Sequence, residues 1–244
     1  MRIATWNLAA RRTPAHEQLL TSLCADVLLL TEVHVDTQAD ARSAGTMELG
    51  QSYAAVRGAD ATSTRSAWSA AGTRGGVTFV SSVLPWRIPS QARRTVKLVR
   101  ELDDAWPEGH VVWGGDWNHE LQGRLWVGSK EGRAAIADLL ERRNMVCPTV
   151  GLPARKGDRS IDHIAVPSSW RVTSACVIDC ASLSDHDAYV VEVLLPTEVP
   201  DLTPGCGAQD RSGWAIAPGS CGRSVGVSRR PAPRREAAHE RQPP

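Results

Sequence analysis

Val111-Val112-Trp113-Gly114-Gly115-Asp116-Trp117-Asn118 is the stretch on which the reading of this chain turns. Three apolar residues make a short buried strand, and the two glycines let the backbone pass close to a ligand. Asp116 and Asn118 follow at an i,i+2 spacing that puts both on one side while the chain stays extended. The carboxylate can take a proton from water while the amide donates to a phosphate oxygen. An Asp/Asn turn after a core strand would look the same taken alone. Four further clusters at strand ends tip the balance: Trp6-Asn7, Thr31-Glu32 after Val27-Leu28-Leu29-Leu30, Ile161-Asp162-His163 and Ser184-Asp185-His186. Pooled acids, amides and a histidine suit a hard divalent cation working on phosphate, since such cations take one or two carboxylates from protein and the rest from water and substrate.

Within these clusters the residue types suggest roles. A histidine near a phosphate needs a carboxylate to fix its tautomer and raise its basicity. Asp162 can do this for His186 if their two strands are neighbours, and Asp185 would then face the metal side. His163 reads as structural. His119, Glu120 and His34 read as exposed loop residues beside the site.

Composition narrows the class. A chain of 244 residues that is 42% hydrophobic can build one sizeable core or two small ones. A net charge of +1 gives no global argument for nucleic acid, although an enzyme that cuts it needs only a local basic rim. The six cysteines make no zinc pattern with histidine, and reduced thiols and a cytoplasmic address are expected. No apolar leader opens the sequence, and no run approaches the roughly 18 apolar residues of a spanning helix, so neither export nor membrane insertion is expected. Nine tryptophans against one phenylalanine and two tyrosines suggest that Trp replaces Phe in core and rim positions, including Trp68, Trp86, Trp106, Trp126 and Trp170.

Along the chain, strands are expected at 3–8, 26–33, 53–56, 76–81, 111–113, 161–166, 172–178 and 189–195. A helix opens at Thr13-Pro14 with Glu17 as capping partner and runs to about Leu23. An amphipathic helix spans 89–106 and another spans 130–143. Residues 36–50 and 58–75 read as loops, the second rich in Ala, Ser, Thr and Gly. Interleaved helices and strands followed by sheet-rich sequence argue for an α/β fold of two packed sheets with helices outside. Residues 1–195 form the folded domain. Residues 196–244, rich in Pro, Gly and Arg, read as a mostly disordered tail.

In this order the motifs resemble the endonuclease/exonuclease/phosphatase family. The stretches that carry the resemblance are Ala4-Thr5-Trp6-Asn7-Leu8, Leu29-Leu30-Thr31-Glu32, Gly76-Val77-Thr78-Phe79-Val80-Ser81, Gly114-Gly115-Asp116-Trp117-Asn118, Ser160-Ile161-Asp162-His163-Ile164 and Ser184-Asp185-His186. The resemblance implies a four-layered α/β sandwich, two facing mixed sheets with outer helices, that cleaves phosphate esters with Mg²⁺ or Mn²⁺. It implies that Asn7 and Glu32 help hold the metal with Asp185 in support, that Asp116 acts on the nucleophilic water, and that Asn118 binds the scissile phosphate. Asp162 would orient His186, which contacts or protonates the phosphoryl oxygens. Family members carry further strands, ending in a histidine or tyrosine, before the Gly-Asp-x-Asn stretch. Here the interval 82–110 is abbreviated and reads mostly as helix.

The leading expectation is a metal-dependent phosphodiesterase acting on nucleic acid; Arg93, Arg94, Lys97 and Arg100 read equally as a backbone-contacting edge or as a solvated helix face. The alternatives are a phosphatase or phosphodiesterase of lipid or small-molecule phosphoesters, and a catalytically weakened or inactive binding module of the same fold. Oligomeric state is not legible.

Overall fold

The computed structural model describes residues 1–33, 52–56, 65–66, 69–85, 91–123, 125–154, 159–180 and 182–196. The chain divides into Met1–Asp201 and Leu202–Pro244, and the second unit lies outside the described residues, as does the expected 36–50 loop. The described elements are, in order, β1 (Arg2–Asn7), α1 (Pro14–Ser22), β2 (Val27–Thr31), β3 (Ser52–Val56), β4 (Arg65–Ser66), β5 (Ser69–Arg74), β6 (Val77–Val83) and α2 (Gln91–Asp104). They continue with β7 (His110–Asp116), α3 (Lys130–Arg142), β8 (Met145–Val146), β9 (Asp162–Pro167), β10 (Arg171–Ile178) and β11 (Ala188–Leu194).

Two mixed sheets result: one in the order β10-β11-β1-β2-β3, the other β4-β5-β6-β7-β9-β8. β1–β2 and β6–β7 are parallel pairs and the remaining pairs are antiparallel. The period-two alternation of each strand sorts its residues into layers. Ile3, Leu29, Phe79, Val112, Ile164 and Val191 meet between the sheets. Ala4, Trp6, Leu30 and Val190 point the other way, under Leu19 and Leu20 of α1. Val80, Val111, Trp113 and Ala165 back onto Val99 of α2 and Ile136 and Leu139 of α3. Helix, sheet, sheet and helices make the four expected layers.

The abbreviated interval 82–110 leaves no gap in the sheet. All seven residues of β6 pair in register with all seven of β7, from Val77 with His110 to Val83 with Asp116, and α2 forms the crossover. The shortened segment is therefore the interior of a βαβ unit, with no sheet edge exposed there.

Three local expectations are corrected. The reading of 58–75 as a loop fails over its second half, where β5 pairs with β6 from Ser69–Ser82 to Arg74–Val77. Ala, Ser and Gly have poor strand propensity, but a ladder supplied by a neighbouring strand overrides it. The signal was Gly75-Gly76, a two-residue hairpin turn with both φ values positive (56° and 75°). In α1, Thr13 makes no side-chain cap. Its hydroxyl instead pairs with His16 Nδ1 at 2.7 Å, while Glu17 accepts from Arg12 at 2.7 Å.

The Gly114-Gly115 pair also serves a purpose other than the one expected. A Cβ on Gly115, held at φ 122°, would lie 2.2 Å from the Ser82 carbonyl oxygen. One on Gly114 would lie 2.7 Å from both Leu29 Cδ1 and the His163 carbonyl oxygen. The glycines let β7 approach its neighbouring strands and the facing sheet; the close neighbour is protein.

Candidate active site

The alternation that builds the core also builds the site. Val112, Gly114 and Asp116 share the inter-sheet face of β7, Ile164 and Asp162 share that face of β9, and Ile3 and Asn7 share that face of β1. At one end of the seam the apolar residues give way to polar ones. Asp116 and Asp162 stand directly opposite each other across the β7–β9 ladder. Like charges in that position repel, so the arrangement costs stability unless something positive is shared between them.

Asn7 is the bridge between sheets. Its Nδ2 donates to Glu32 Oε1 and to Asp116 Oδ2, each at 3.0 Å, and its Oδ1 accepts from the Ala9 amide at 2.8 Å. The Asn118 amide donates to Asp116 Oδ1 at 3.0 Å, and Asn118 Nδ2 donates to the Leu84 carbonyl at 2.9 Å. Glu32 and Asn118 both sit in the left-handed backbone region, at φ 48° and 51°. Non-glycine residues take that conformation at a cost and cluster where function over-determines them.

His186 closes the constellation. Its Nδ1 pairs with Asp162 Oδ2 at 2.7 Å, and its Nε2 lies 4.0 Å from Asp116 Oδ2. The loop that carries it is tied to β1: Ser184 Oγ donates to the Asn7 carbonyl at 2.7 Å and accepts from the His186 amide at 3.1 Å. Trp6 Nε1 donates to the His186 carbonyl at 3.3 Å. Ser184 carried no assigned role in the sequence reading, and its position two residues before the histidine was the available signal. The Leu84 anchor has no sequence signature.

Electrostatics follow from burial and company. Burial works against a charged His186, but the charge and hydrogen bond of Asp162, then Asp116 and Asp185, outweigh it and push the ring up to about 10. Burial first, and Asp162 next, push Asp116 up to about 7 against the pull of His186, the Asn7 amide and the Asn118 N–H. One protonated imidazole thus serves two crowded carboxylates. Asp162 Oδ1 is buried with no hydrogen-bond partner among the described residues. Asp116, Asp162 and His186 each bring one ligand atom to within 4.8 Å of the others. This trio differs from the Asn7, Glu32 and Asp185 set expected to hold the metal. Glu32 and Asn7 adjoin the trio through Asp116, while Asp185 is exposed at the rim and acts on His186 through its charge.

The remaining histidines divide. His163 is fully buried and structural as expected, its Nε2 3.0 Å from the His119 carbonyl and its Nδ1 3.3 Å from Thr149 Oγ1. His119 and Glu120, expected on an exposed loop, are instead 0% and 2% exposed. His119 turns inward onto the Trp117 carbonyl at 2.7 Å, under Gly128 and Gly132, whose lack of side chains makes room for the ring. His34 lies outside the described residues.

Burial pushes His163 down to about 4. Above its ordinary value of 6.5 the ring is neutral whether folded or not, and it contributes no pH dependence. Below that the unfolded chain takes up a proton that the folded chain refuses, so stability falls, by about 2 kcal/mol at pH 5. Urea unfolding of wild type and His163→Gln at pH 7 and pH 5 checks this. The stability gap between them is expected to narrow by about 2 kcal/mol on acidification; a constant gap would rule out a ring buried in its neutral form.

Facing sheets with outer helices, and acid, amide and imidazole groups gathered at one end of the seam, define a metal-dependent phosphoesterase. The profile of the Endonuclease/Exonuclease/phosphatase family matches residues 4–186, and the chain belongs to that family. No curated protein matches it. Among solved structures it is similar to an AP endonuclease from Archaeoglobus fulgidus, with TM-score 0.64, 16% identity, and coverage of 79% of this chain and 98% of that one. It is also similar to a 3′ phosphatase, NExo, from Neisseria bound to product DNA hairpin, with TM-score 0.62, 16% identity, and coverage of 80% and 100%. A third similar structure is a 3′-5′ exonuclease, NExo, from Neisseria meningitidis, with TM-score 0.62, 17% identity, and coverage of 79% and 99%. At these identities the likeness is one of fold.

Proposed function

We propose that the chain hydrolyses phosphodiester bonds of nucleic acid with Mg²⁺ or Mn²⁺. The observation that carries this reading is the position of Asp116, which adjoins Asn7, Asn118, Asp162 and His186 at once. The donor set fits a hard divalent cation: the carboxylate oxygens of Glu32 and Asp116, and a buried carboxylate oxygen on Asp162 that lacks a partner among the described residues. Glu32 would hold the cation beside Asp116, with Asn7 bracing both carboxylates through Nδ2 and Asp185 in support from the rim. When bound it supplies electrostatic stabilisation of charge on the phosphoryl oxygens.

This chain's own residues do the rest. Asp116 takes a proton from the attacking water, a task suited to a carboxylate raised to about 7. Asn118 spends one N–H on the Leu84 carbonyl, which fixes the amide and leaves the second N–H for a phosphate oxygen. Asp162 holds His186 by Nδ1, so that Nε2–H is the proton offered to the phosphoryl group.

Nucleic acid is preferred over other phosphoesters for two reasons. The three similar structures are named as a 3′ phosphatase bound to product DNA hairpin, an AP endonuclease and a 3′-5′ exonuclease. Arg93 and Arg94 are exposed on the first turn of α2, the end that follows β6 and the Leu84 anchor. Lys97 is partly spent on Glu101 at 3.5 Å. Cys24 and Cys147 carry free thiols, which suits a reducing, cytoplasmic address. No described helix is long and apolar enough to cross a membrane.

The test is a panel of plasmid, single- and double-stranded oligonucleotides and a small phosphodiester, each with Mg²⁺, Mn²⁺ or chelator. Cleavage of nucleic acid with either metal and none with chelator is expected. Turnover that survives chelation would sink the metal assignment. Cleavage of the small phosphodiester alone would replace the nuclease reading with that of a small-molecule phosphodiesterase. A folded protein that binds metal and leaves every substrate intact would make it a binding module.

A further inference from the structure

We propose that Trp126 is a stacking platform for a nucleobase beside the scissile phosphate, an inference that rests on the nucleic-acid reading above. Among the described residues the other indoles are covered: Trp6, Trp113 and Trp117 are fully buried, Trp170 is 4% exposed and Trp106 is half-buried. Trp126 is 69% exposed, and its neighbour Leu125 is 40% exposed. Two adjacent apolar side chains turned to water are unfavourable for a fold that has helices and a second sheet to cover them.

Their location gives the exposure a use. Glu120 is two residues past Asn118, at most about 7 Å along an extended chain. The chain comes back to this point at Val127, for the Glu120 amide donates to the Val127 carbonyl at 3.2 Å. Trp126 therefore stands on a loop rooted beside the phosphate-binding amide.

The loop is held with unusual investment. Glu120 is 2% exposed, and its carboxylate is committed to the backbone amide of Trp126 at 2.9 Å. Arg133 donates to the Val127 carbonyl at 3.1 Å. The buried His119 ring fills the space under Gly128 and Gly132, where added Cβ atoms would come within 2.5 and 2.2 Å of it. Burying a carboxylate and an imidazole is costly, and here both go to fixing one loop. A rigid aromatic face beside a phosphate site recognises a base by stacking, which tolerates every base because each has a π-face.

The experiment compares wild type, Trp126→Ala and Trp126→Phe with Mn²⁺ on a single-stranded oligonucleotide. The second substrate is the same strand with abasic residues around the cleaved linkage. Trp126→Ala is expected to raise KM on the ordinary strand about tenfold or more while kcat stays within about twofold, with Trp126→Phe recovering most of the loss. On the abasic strand all three proteins are expected to behave alike. In 5-fluorotryptophan-labelled protein, the fluorine resonance lost in Trp126→Phe is expected to shift when oligonucleotide is added with chelator present. A wild-type KM in Trp126→Ala, an equal loss on both strands, or an unmoved resonance overturns the proposal. In those cases the nuclease reading stands, because wild type still cuts the ordinary strand. A wild type that cuts only small phosphoesters overturns that reading and this one with it.

Discussion

His186→Ala is expected to lower kcat by about 10²- to 10⁴-fold with KM nearly unchanged. The reason is geometric. His186 is committed to Asp162 through Nδ1 at 2.7 Å, so Nε2 alone faces the Asp116 side, at 4.0 Å. A proton offered from that atom meets little charge in the bound substrate and more as the phosphoryl oxygens gain charge, so its loss falls on turnover. Asp162→Asn is expected to reproduce part of the defect. The asparagine can still touch Nδ1, but it no longer supplies the charge that leads the upward shift of the ring to about 10. The two losses are expected to be clearly less than multiplicative when combined, as for groups that act as one unit. A sensitive fluorogenic phosphodiester is needed to follow the slow variants. Independent, fully multiplicative effects, or unchanged turnover in His186→Ala, would break the pairing.

That pair is legible in the sequence because strand alternation is a rigid code. The condition that the two strands be neighbours is met across the seam and not within a sheet: β9 and β11 belong to different sheets, and His186 reaches Asp162 between them. The same code makes Asn7, Asp116 and Asp162 neighbours, since each continues the inward face of an apolar run. What the code does not carry is tertiary cover. Nothing local distinguishes His119-Glu120 from an exposed turn; their burial depends on a loop that folds back and on Gly128 and Gly132, distant in purpose if not in sequence. β5 was lost for a related reason: Ala70, Ala71 and Gly72 have no strand preference of their own, and only the ladder to β6 and the Gly75-Gly76 turn make them a strand. The capping role given to Thr13 and Glu17 failed because both side chains found nearer partners in His16 and Arg12. Where alternation decided, the residues could be placed. Where a buried polar group chose among several partners, the sequence offered no ranking.

Metal binding supplies the second large effect. Glu32 is held at φ 48°, a conformation that costs a β-carbon-bearing residue free energy, and its carboxylate reaches across to Asn7, which also holds Asp116. Glu32→Gln keeps that shape and an oxygen for the Asn7 amide but removes the charge a divalent cation requires. By calorimetry, Mn²⁺ is therefore expected to bind the variant at least about tenfold more weakly than wild type, one lost charge contact of roughly 1.4 kcal/mol. Thermal unfolding gives an independent reading, because a ligand bound only by the folded state stabilises it by mass action. At Mn²⁺ a hundredfold above its dissociation constant, wild type should gain about 2.7 kcal/mol, a rise in Tm of roughly 5–10 °C for a domain of this size. At the same Mn²⁺ concentration, Glu32→Gln should gain half of that or less, while its Tm in chelator should stay close to wild type because the Asn7 contact survives. A variant destabilised in chelator would make Glu32 a structural brace. Equal Mn²⁺ binding by the two proteins would move the cation away from Glu32 and toward the Asp116–Asp162–His186 trio, where it would have to displace the imidazolium proton that now serves both carboxylates.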